Sequence, residues 1–221
     1  MIFIYSQSGA LDFSSGGVFS SGAAKSTVTV LLLMFVFGFS KAAVMPFHSW
    51  LPAAMAAPTP VSALLHAVAV VKVGAFSIFR VATDIFGIEL IKSTGAGTLA
   101  AYIAAITIIT ASLTALSQDD LKRRLAFSTV AQLSFIIVGA FLATPRALTG
   151  GTLHIVMHAF AKITLFFCAG AIYVATGKKK VSELDGIGKR MPVTMVAFSI
   201  GALSVIGIPP AGGFLSKFYL I

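Results

Sequence analysis

Two histidines and a lysine recur at intervals of four residues in one apolar stretch of the sequence. His154, His158 and Lys162 stand at positions i, i+4 and i+8, which places all three on one face of an α-helix, about one turn apart. Histidine accepts and releases protons near neutral pH, and titratable groups roughly 6 Å apart and bridged by water suit proton hopping. The spacing therefore predicts a proton relay.

Two other interpretations of the histidine pair remain open, a metal or haem site and purely structural hydrogen bonding. His154 and His158 have the HxxxH spacing of a metal pair, but Ile155 occupies the glutamate position of the HExxH metalloprotease pattern. No third acidic or cysteine ligand lies nearby in the sequence. We therefore expect no metal and no other bound cofactor.

Four lysines lie inside apolar segments, namely Lys41, Lys72, Lys162 and Lys217. A charged side chain at the middle of a bilayer costs about 2.5–3.5 kcal/mol on insertion scales. An amine removed from water binds its proton less tightly and can exchange it. These positions predict further relay groups, with His66 as another possible member. The competing interpretation is that each lysine is a structural pair partner or reaches the membrane surface.

The acidic residues show the opposite distribution. All seven fall in loops or at segment ends: Asp12, Asp84, Glu89, Asp119, Asp120, Glu183 and Asp185. The buried lysines therefore have no acidic partner within the apolar segments, and a bound metal cation would lack the oxygen ligands it prefers. The predicted cargo is a proton rather than sodium.

Two segments carry residues that interrupt helices beside a lysine. Residues 207–213 read GIPPAGG, with Pro209, Pro210, Gly212 and Gly213 as predicted break positions, and Pro46 is a milder break in the first segment. Non-helical backbone at membrane depth is tolerated only in a protein interior or beside a water-filled path, and broken helices beside buried charge recur in ion-coupled transporters. A simple proline kink is the alternative.

Composition determines the class of protein. Of the 221 residues, 57% are hydrophobic and only 10% are charged, against about 25% charged in a typical soluble domain, and the mean hydropathy is +0.98. At roughly 20 residues per span, this length suits about six transmembrane helices. The net charge of +9 does not indicate nucleic acid, because Lys and Arg lie mostly in short loops. Cys168 is expected to be a packing residue.

Six apolar segments follow a serine- and glycine-rich stretch at 6–26, and both chain ends look like cut edges of a longer protein. The segments are 27–51, 60–81, 98–116, 125–144, 152–176 and 192–221, with 84–97 expected as a loop. Counted on alternate sides, eight loop cations face four, which predicts that the loops at 122–124 and 178–190 lie in the cytoplasm.

Several stretches resemble the proton-translocating antiporter family, which includes the D-type membrane component of Mrp cation/proton antiporters and the antiporter-like membrane subunits of complex I. They are KAAVMPFHSWLP at 41–52, APTPVSALLH at 57–66, QDDLKRRLAFST at 118–129, HIVMHAFAK at 154–162 and GIPPAGGFLSK at 207–217. The resemblance covers nearly the whole chain in order. The early run favours the D-type Mrp branch.

The resemblance implies an all-α integral membrane fold of about 14 helices with two inverted five-helix repeats. This chain would contribute about six of these helices, two of them discontinuous. Residues 1–26 would be the end of a preceding helix and a loop, 27–81 the end of the first repeat, and 98–221 most of the second. Lys41 would be the pump lysine of the first broken helix, Lys72 the lysine of the next helix, and Lys162 the central connecting lysine.

In the same family pattern, Lys217 corresponds to the exit-side residue of the second broken helix, and His154 and His158 to the relay histidines. The implied function is a proton-translocating subunit of a multisubunit cation/proton antiporter in the inner (cell) membrane, with other membrane subunits as partners. The alternative is a proton-pumping subunit of an NADH:quinone oxidoreductase or membrane hydrogenase. A third interpretation is an inert scaffold. The sequence contains no catalytic, nucleotide or redox-cofactor motif.

Overall fold

The computed structural model describes residues 2–9, 12–14, 16–19, 24–64 and 69–220. Its regular elements are helices, and the strand-like pairing within these ranges is a single bridge between Asp120 and Lys180. The all-α prediction is therefore confirmed.

The α-helices are described in chain order. They are α1 (Ile2–Ser8), α2 (Lys25–Gly38), α3 (Trp50–Ala53), α4 (Thr59–Ser62), α5 (Val70–Arg80), α6 (Ile88–Thr94), α7 (Ala96–Ser117), α8 (Leu121–Phe141), α9 (Pro145–Thr176), α10 (Ile187–Arg190), α11 (Pro192–Ile206) and α12 (Gly212–Leu220). By length and composition, α7, α8 and α9 can cross a membrane, and α2 and α11 are shorter apolar helices.

Helix α8 lies at the centre of the helix packing. In its apolar stretch 72% of the residues are buried, against 28% in α7 and 44% in α9. The helix begins where the Asp120 carboxylate accepts a hydrogen bond from the backbone N–H of Arg123 at 2.8 Å, satisfying a donor that has no partner inside the helix.

Helix α7 packs on α8 through small side chains. Its buried residues are Ala96, Gly97, Ala100, Ala104, Thr107, Ala111 and Ala115. Its opposite face exposes large apolar side chains, among them Leu99, Tyr102, Ile106, Ile109 and Leu113. Small residues let helix backbones approach each other closely. Close packing matters in membranes because lipid tails are as apolar as the side chains, so apolar burial alone does not bring helices together. The sequence of α7 therefore suits one protein-facing and one lipid-facing side.

Helix α9 is the longest element, with 32 residues, or about 48 Å at 1.5 Å per residue. The Thr144 hydroxyl caps its start by accepting from Ala147 N–H at 3.2 Å, and Pro145 occupies its first turn, where a missing N–H is harmless. Gly177, with φ of +70°, ends it. Its length lets one helix carry groups at several membrane depths.

Two helical interruptions separate short helices from their neighbours. Helix α2 ends at Gly38, a 3₁₀ turn covers Ser40–Ala42, and the next α-helix begins at Trp50. Helix α11 ends at Ile206 and α12 begins at Gly212. Both stretches leave backbone groups without helical partners beside a lysine.

The expectation of a loop at 84–97 is wrong. A π-helical turn covers Val81–Phe86, and α6 occupies Ile88–Thr94. Gly87 (φ +80°) and Gly95 (φ +66°) adopt backbone conformations that glycine tolerates and bound α6 on both sides. Seven residues between two glycines are too few to produce a recognisable periodic pattern.

Gly74 allows α5 to pack directly on the turn that contains Lys41. A Cβ atom at Gly74 would lie 2.5 Å from the carbonyl carbon of Lys41 and would overlap the backbone nitrogen of Ala42. We predict that Gly74→Ala destabilises the complete protein by about 1–3 kcal/mol, because backbone must move to admit the methyl group. The measurement is the thermal unfolding midpoint in detergent.

The matched control for this prediction is Gly38→Ala, since Gly38 is also helical and has no atom within 4 Å of its Cβ position. Equal unfolding midpoints for the two variants would contradict the prediction.

Candidate functional site

Lys72 and His158 form the centre of the candidate site. Lys72 lies on α5 and is 6% exposed, and His158 lies on α9 and is 3% exposed. The Lys72 amine nitrogen contacts Nδ1 of His158. The fold thus brings a buried lysine and a buried histidine, far apart in sequence, into direct contact.

His154 lies one turn before His158 on the same face of α9. Its Nδ1 is 2.9 Å from the hydroxyl oxygen of Ser216 on α12. The Ser216 hydroxyl also lies 3.0 Å from the Gly213 carbonyl oxygen, to which it donates. Because a hydroxyl has one hydrogen, Ser216 accepts from His154, whose Nδ1 therefore carries the proton.

The two histidine rings stack on each other. Their centroids are 5.8 Å apart and their planes are tilted by 15°. The Nε2 atoms of both rings are buried and have no hydrogen-bond partner among the described residues. Buried polar atoms are nearly always hydrogen-bonded in folded proteins, so these two nitrogens are exceptions within the described residues.

The hydrogen bonds assign complementary roles to the two Nε2 atoms. In neutral His154, protonation of Nδ1 leaves Nε2 as an acceptor. A charged Lys72 can only donate, so Nδ1 of neutral His158 accepts and its Nε2 carries the proton. One ring thus presents an acceptor and the next a donor.

Lys162 completes the stripe on α9 and is fully buried. Its amine donates to the carbonyl oxygen of Leu125 on α8 at 3.0 Å. The Thr129 hydroxyl donates to the same oxygen at 2.9 Å. A helical carbonyl has a second lone pair, which allows α8 to hold the lysine without losing its helical form.

Lys217 binds the end of the interrupted helix α11. Its amine donates to the carbonyl oxygens of Val205 at 2.8 Å and Ile206 at 3.0 Å. The last carbonyls of a helix lack intrahelical partners and form the negative end of the helix dipole. The same amine lies 5.1 Å from the ring centroid of Phe135, which also packs on His154 at 6.0 Å.

None of these lysines forms an ion pair within the ranges that the structure describes. The one ion pair found there joins Arg80 and Asp84 on one helical turn. Backbone carbonyls, an imidazole and an aromatic face are instead the neighbours of Lys72, Lys162 and Lys217. The site therefore contains concentrated positive charge with neutral ligands.

Lys41 does not join this group. The sequence predicted that Lys41 is one of the buried lysines, whereas its side chain is exposed in this chain. The helix ends at Gly38, so the 3₁₀ turn at Ser40–Ala42 buries Ala42 and directs Lys41 away from the core. His66, the possible relay residue, lies outside the described residues.

The predicted break residues lie within the two interruptions. Pro46 is exposed in the turn between α2 and α3, and Pro209 and Pro210 are exposed between α11 and α12. Gly212 and Gly213 begin α12, and a Cβ atom on Gly213 would overlap the Ser204 carbonyl. Close backbone approach thus explains a glycine at the second break.

The sequence did not predict two residues of the site, Ser216 and Phe135, which contact His154. Nor did it predict that Gln132 on α8 is buried with its side-chain oxygen unpaired among the described residues. Ser216 directly precedes Lys217 in the sequence, which is a weak signal, since its partner is 62 residues away. Phe135 looks like any other apolar residue of a membrane helix.

A metal site at His154 and His158 would need further ligands. In the described part of the chain, no cluster of three or more His, Cys, Asp or Glu side chains occurs. The contacts of His154 and His158 are a serine hydroxyl and a lysine amine. A lysine amine beside an imidazole suits proton exchange better than metal binding, because a protonated amine repels a cation.

Comparison with known proteins places the chain in a family. The chain matches the family described as NADH:quinone oxidoreductase/Mrp antiporter, TM, over residues 1–221. It is 38% identical over 224 residues to NADH-quinone oxidoreductase subunit N of Desulforudis audaxviator, covering 99% of this chain and 44% of that protein. It is 39% identical over 203 residues to Na(+)/H(+) antiporter subunit A1 of Staphylococcus aureus, covering 86% of this chain and 25% of that protein.

The fold is similar to that of a solved assembly. The Mrp complex from Dietzia sp. DQ12-45-1b matches with a TM-score of 0.81 and 32% sequence identity, over 90% of this chain and 22% of the matched chain. The chain therefore spans less than half the length of each of these three relatives.

The full-length family match, the sequence identities above 30% and the shared helical fold agree with one another. The chain belongs to the NADH:quinone oxidoreductase/Mrp antiporter transmembrane family.

Proposed function

We propose that this chain is part of a proton-translocating membrane subunit of a multisubunit cation/proton antiporter. The observation that carries the proposal is the buried contact between Lys72 and His158, next to His154, with no carboxylate paired to any of them in the described residues. Protons move along a relay made of His154, His158 and Lys162 on α9 together with Lys72 and Lys217, and Lys41 connects to it in the complete protein.

The energetic argument rests on unpaired buried charge. A lysine held in the bilayer interior costs about 2.5–3.5 kcal/mol on insertion scales, and a nearby carboxylate would stabilise its charged form permanently. Neutral ligands such as the Leu125 carbonyl leave the charged and neutral forms of Lys162 closer in free energy. An amine in that condition can exchange its proton, which is the function of a relay group.

The chemical steps are proton transfers between Lys72, His158 and His154, during which each group keeps the same hydrogen-bond partner. Lys72 gives a proton to Nδ1 of His158, and the resulting imidazolium releases its Nε2 proton. His154 accepts at Nε2, because Ser216 holds its Nδ1 protonated. A water molecule between the two Nε2 atoms satisfies both and carries the proton across. Ser216 is a positioning residue in this scheme.

For the complete protein we propose the architecture that the family resemblance implies, with about 14 helices and two inverted five-helix repeats. This chain contributes about six spans, two of them discontinuous. Residues 1–26 are the end of a preceding helix and a loop, 27–81 end the first repeat, and 98–221 form most of the second. The breaks at Pro46 and at Pro209, Pro210, Gly212 and Gly213 are its discontinuous points, and the assembly lies in the inner (cell) membrane with other membrane subunits.

The second candidate function is redox-driven proton pumping in an NADH:quinone oxidoreductase or a related respiratory complex. It is favoured by the 38% identity to a protein named NADH-quinone oxidoreductase subunit N over 99% of the chain. The identity to Na(+)/H(+) antiporter subunit A1 is similar, 39%, over 86% of the chain. The likeness thus extends to both branches and does not single out the D-type Mrp component.

We predict that Lys162→Met in the complete assembly lowers proton translocation at least tenfold, because the relay loses its central exchangeable amine. The measurement is the rate of pH-gradient formation or dissipation in membrane vesicles, normalised to assembled complex. Lys189→Met is the matched control, since Lys189 is an exposed lysine of the basic loop. Unchanged transport in the Lys162 variant, at normal assembly, would support the scaffold interpretation instead.

We predict that Ser216→Ala slows proton translocation roughly twofold to tenfold, the effect of losing a hydrogen bond worth about 0.5–1.5 kcal/mol. Its pH–rate profile also changes, because His154 loses the partner that selects its protonated nitrogen. Ser199→Ala is the control, since the exposed Ser199 hydroxyl bonds only the Met195 carbonyl of its own helix. A normal rate and profile in the Ser216 variant would remove Ser216 from the scheme.

The two candidate functions are separated by the driving force. We predict that addition of sodium or another monovalent cation dissipates a preformed pH gradient in vesicles containing the complete assembly, and that Lys162→Met abolishes this response. Formation of a pH gradient by NADH oxidation, with no response to monovalent cations, would instead establish the redox-driven function.

A further inference from the structure

A cleft of about 900 Å³ lies away from the relay, at the end of the molecule where the basic loops gather. We call it the basic cleft. Its walls come from residues 52–60, the start of α8 at 120–123, the last part of α9 at 167–174, and Lys178 with Lys179. None of the relay lysines or histidines lines it.

The floor of the basic cleft is apolar. Phe167, Gly170 and Val174 lie three and four residues apart on α9 and therefore share a helix face. Phe167 is 50% exposed and Val174 is 86% exposed, so this face is open on either side of Gly170, where Thr59 of α4 packs closely. Such a surface suits a hydrocarbon chain better than water.

The rim of the basic cleft is positively charged. Lys122, Arg123, Lys178 and Lys179 line it, against a single carboxylate, Asp120. That carboxylate already caps α8 through the Arg123 N–H. None of the four cations forms an ion pair in the part of the chain that the structure describes. The rim thus presents excess positive charge without a counterion.

The three rim lysines are held by uncharged partners. The Lys178 amine donates to the Glu183 carbonyl at 2.6 Å. The Lys122 amine donates to the Ala57 carbonyl at 2.7 Å, which ties α8 to the 52–60 segment. The Lys179 amine lies 5.0 Å from the ring centroid of Tyr173. These contacts orient the amines but do not neutralise their charge.

The loop that contains Lys178 and Lys179 is fixed to the start of α8. Leu121 N–H donates to the Lys179 carbonyl at 3.0 Å, and Val181 N–H donates to the Asp119 carbonyl at 2.7 Å. The backbone N–H and hydroxyl of Ser182 bond the Asp119 carboxylate and lower its pKa below the ordinary value. The rim cations are therefore held in place by an ionised anchor.

The dimensions of the cleft match one leaflet of a bilayer. Phe167 lies ten residues before Gly177, where α9 ends, which corresponds to about 15 Å along the helix axis. Half of a hydrocarbon core of roughly 30 Å has the same depth. The apolar floor therefore extends over the depth of a phospholipid acyl chain, and the charged rim lies at the level of its phosphate.

We propose that the basic cleft binds one anionic phospholipid, with its phosphate at Arg123, Lys178 and Lys179 and an acyl chain along Phe167, Gly170 and Val174. The rim selects negative headgroups, since basic pockets between membrane helices attract anionic lipids. The apolar floor excludes free phosphate as the ligand. The bound lipid shields the like charges of the rim and fills the space between α9 and the 52–60 segment.

The test uses the complete assembly in phosphatidylcholine vesicles that contain a photoactivatable phosphatidylglycerol, with cross-linking to this chain as the readout. The double variant Lys178→Gln/Lys179→Gln is expected to lower the cross-linking yield roughly tenfold or more, given the attraction of each cation for an anionic membrane component. The matched control is Lys189→Gln/Arg190→Gln, which removes two exposed cations of the same loop outside the cleft. An equal loss in both double variants would overturn the proposal.

A second variant separates the floor from the rim. Ala171→Trp places a large ring in the cleft wall while all four rim cations remain, and it is expected to lower the yield as strongly as the rim variant. Unchanged yield would overturn the assignment of the acyl chain to this face.

Two further arms identify the ligand. A photoactivatable phosphatidylcholine probe is expected to label the chain weakly, and inorganic phosphate is expected not to compete with the phosphatidylglycerol probe. Equal labelling by the neutral lipid, or competition by phosphate, would overturn the proposal. So would a photo-cross-linking amino acid at Val174 that captures another protein segment instead of lipid.

Discussion

The structure depends on how positive charge is stabilised inside an apolar helix bundle without negative charge beside it. Lys162 donates to the Leu125 carbonyl, Lys217 to the carbonyls at the end of α11, and Lys72 contacts the His158 imidazole. Each ligand is a neutral acceptor. Such acceptors offset part of the desolvation of an amine but do not fix its charge as a carboxylate would.

The interruption of α11 follows from the same constraint. In a continuous helix the Val205 and Ile206 carbonyls would also accept from backbone N–H groups, and Lys217 would share these oxygens with them. Ending the helix at Ile206 leaves those oxygens free at the negative end of the helix dipole. Gly207 and Gly213 permit the turn and the close backbone approach that the interruption requires. The end of the broken helix therefore binds the Lys217 amine.

Helix α9 connects the two ends of the molecule. One face carries His154, His158 and Lys162, and the final turns supply the apolar floor of the basic cleft. Its length of 32 residues exceeds what one bilayer crossing requires, so the same helix reaches both the midplane and the charged surface. The proposed relay and the cleft share this helix but no side chains, so the two proposed functions, proton transfer and lipid binding, can be altered separately.

The sequence alone determined the all-helical membrane class, the shared face of His154, His158 and Lys162, and the family, because composition, helical periodicity and short motifs are local properties. It did not reveal the contacts of Ser216 with His154 or of Phe135 with Lys217, and it predicted a loop where α6 lies. It also grouped Lys41 with the buried lysines, whereas the turn after Gly38 leaves its side chain exposed in this chain. Only the tertiary structure decided these features, since they depend on which helices meet and where each backbone turns.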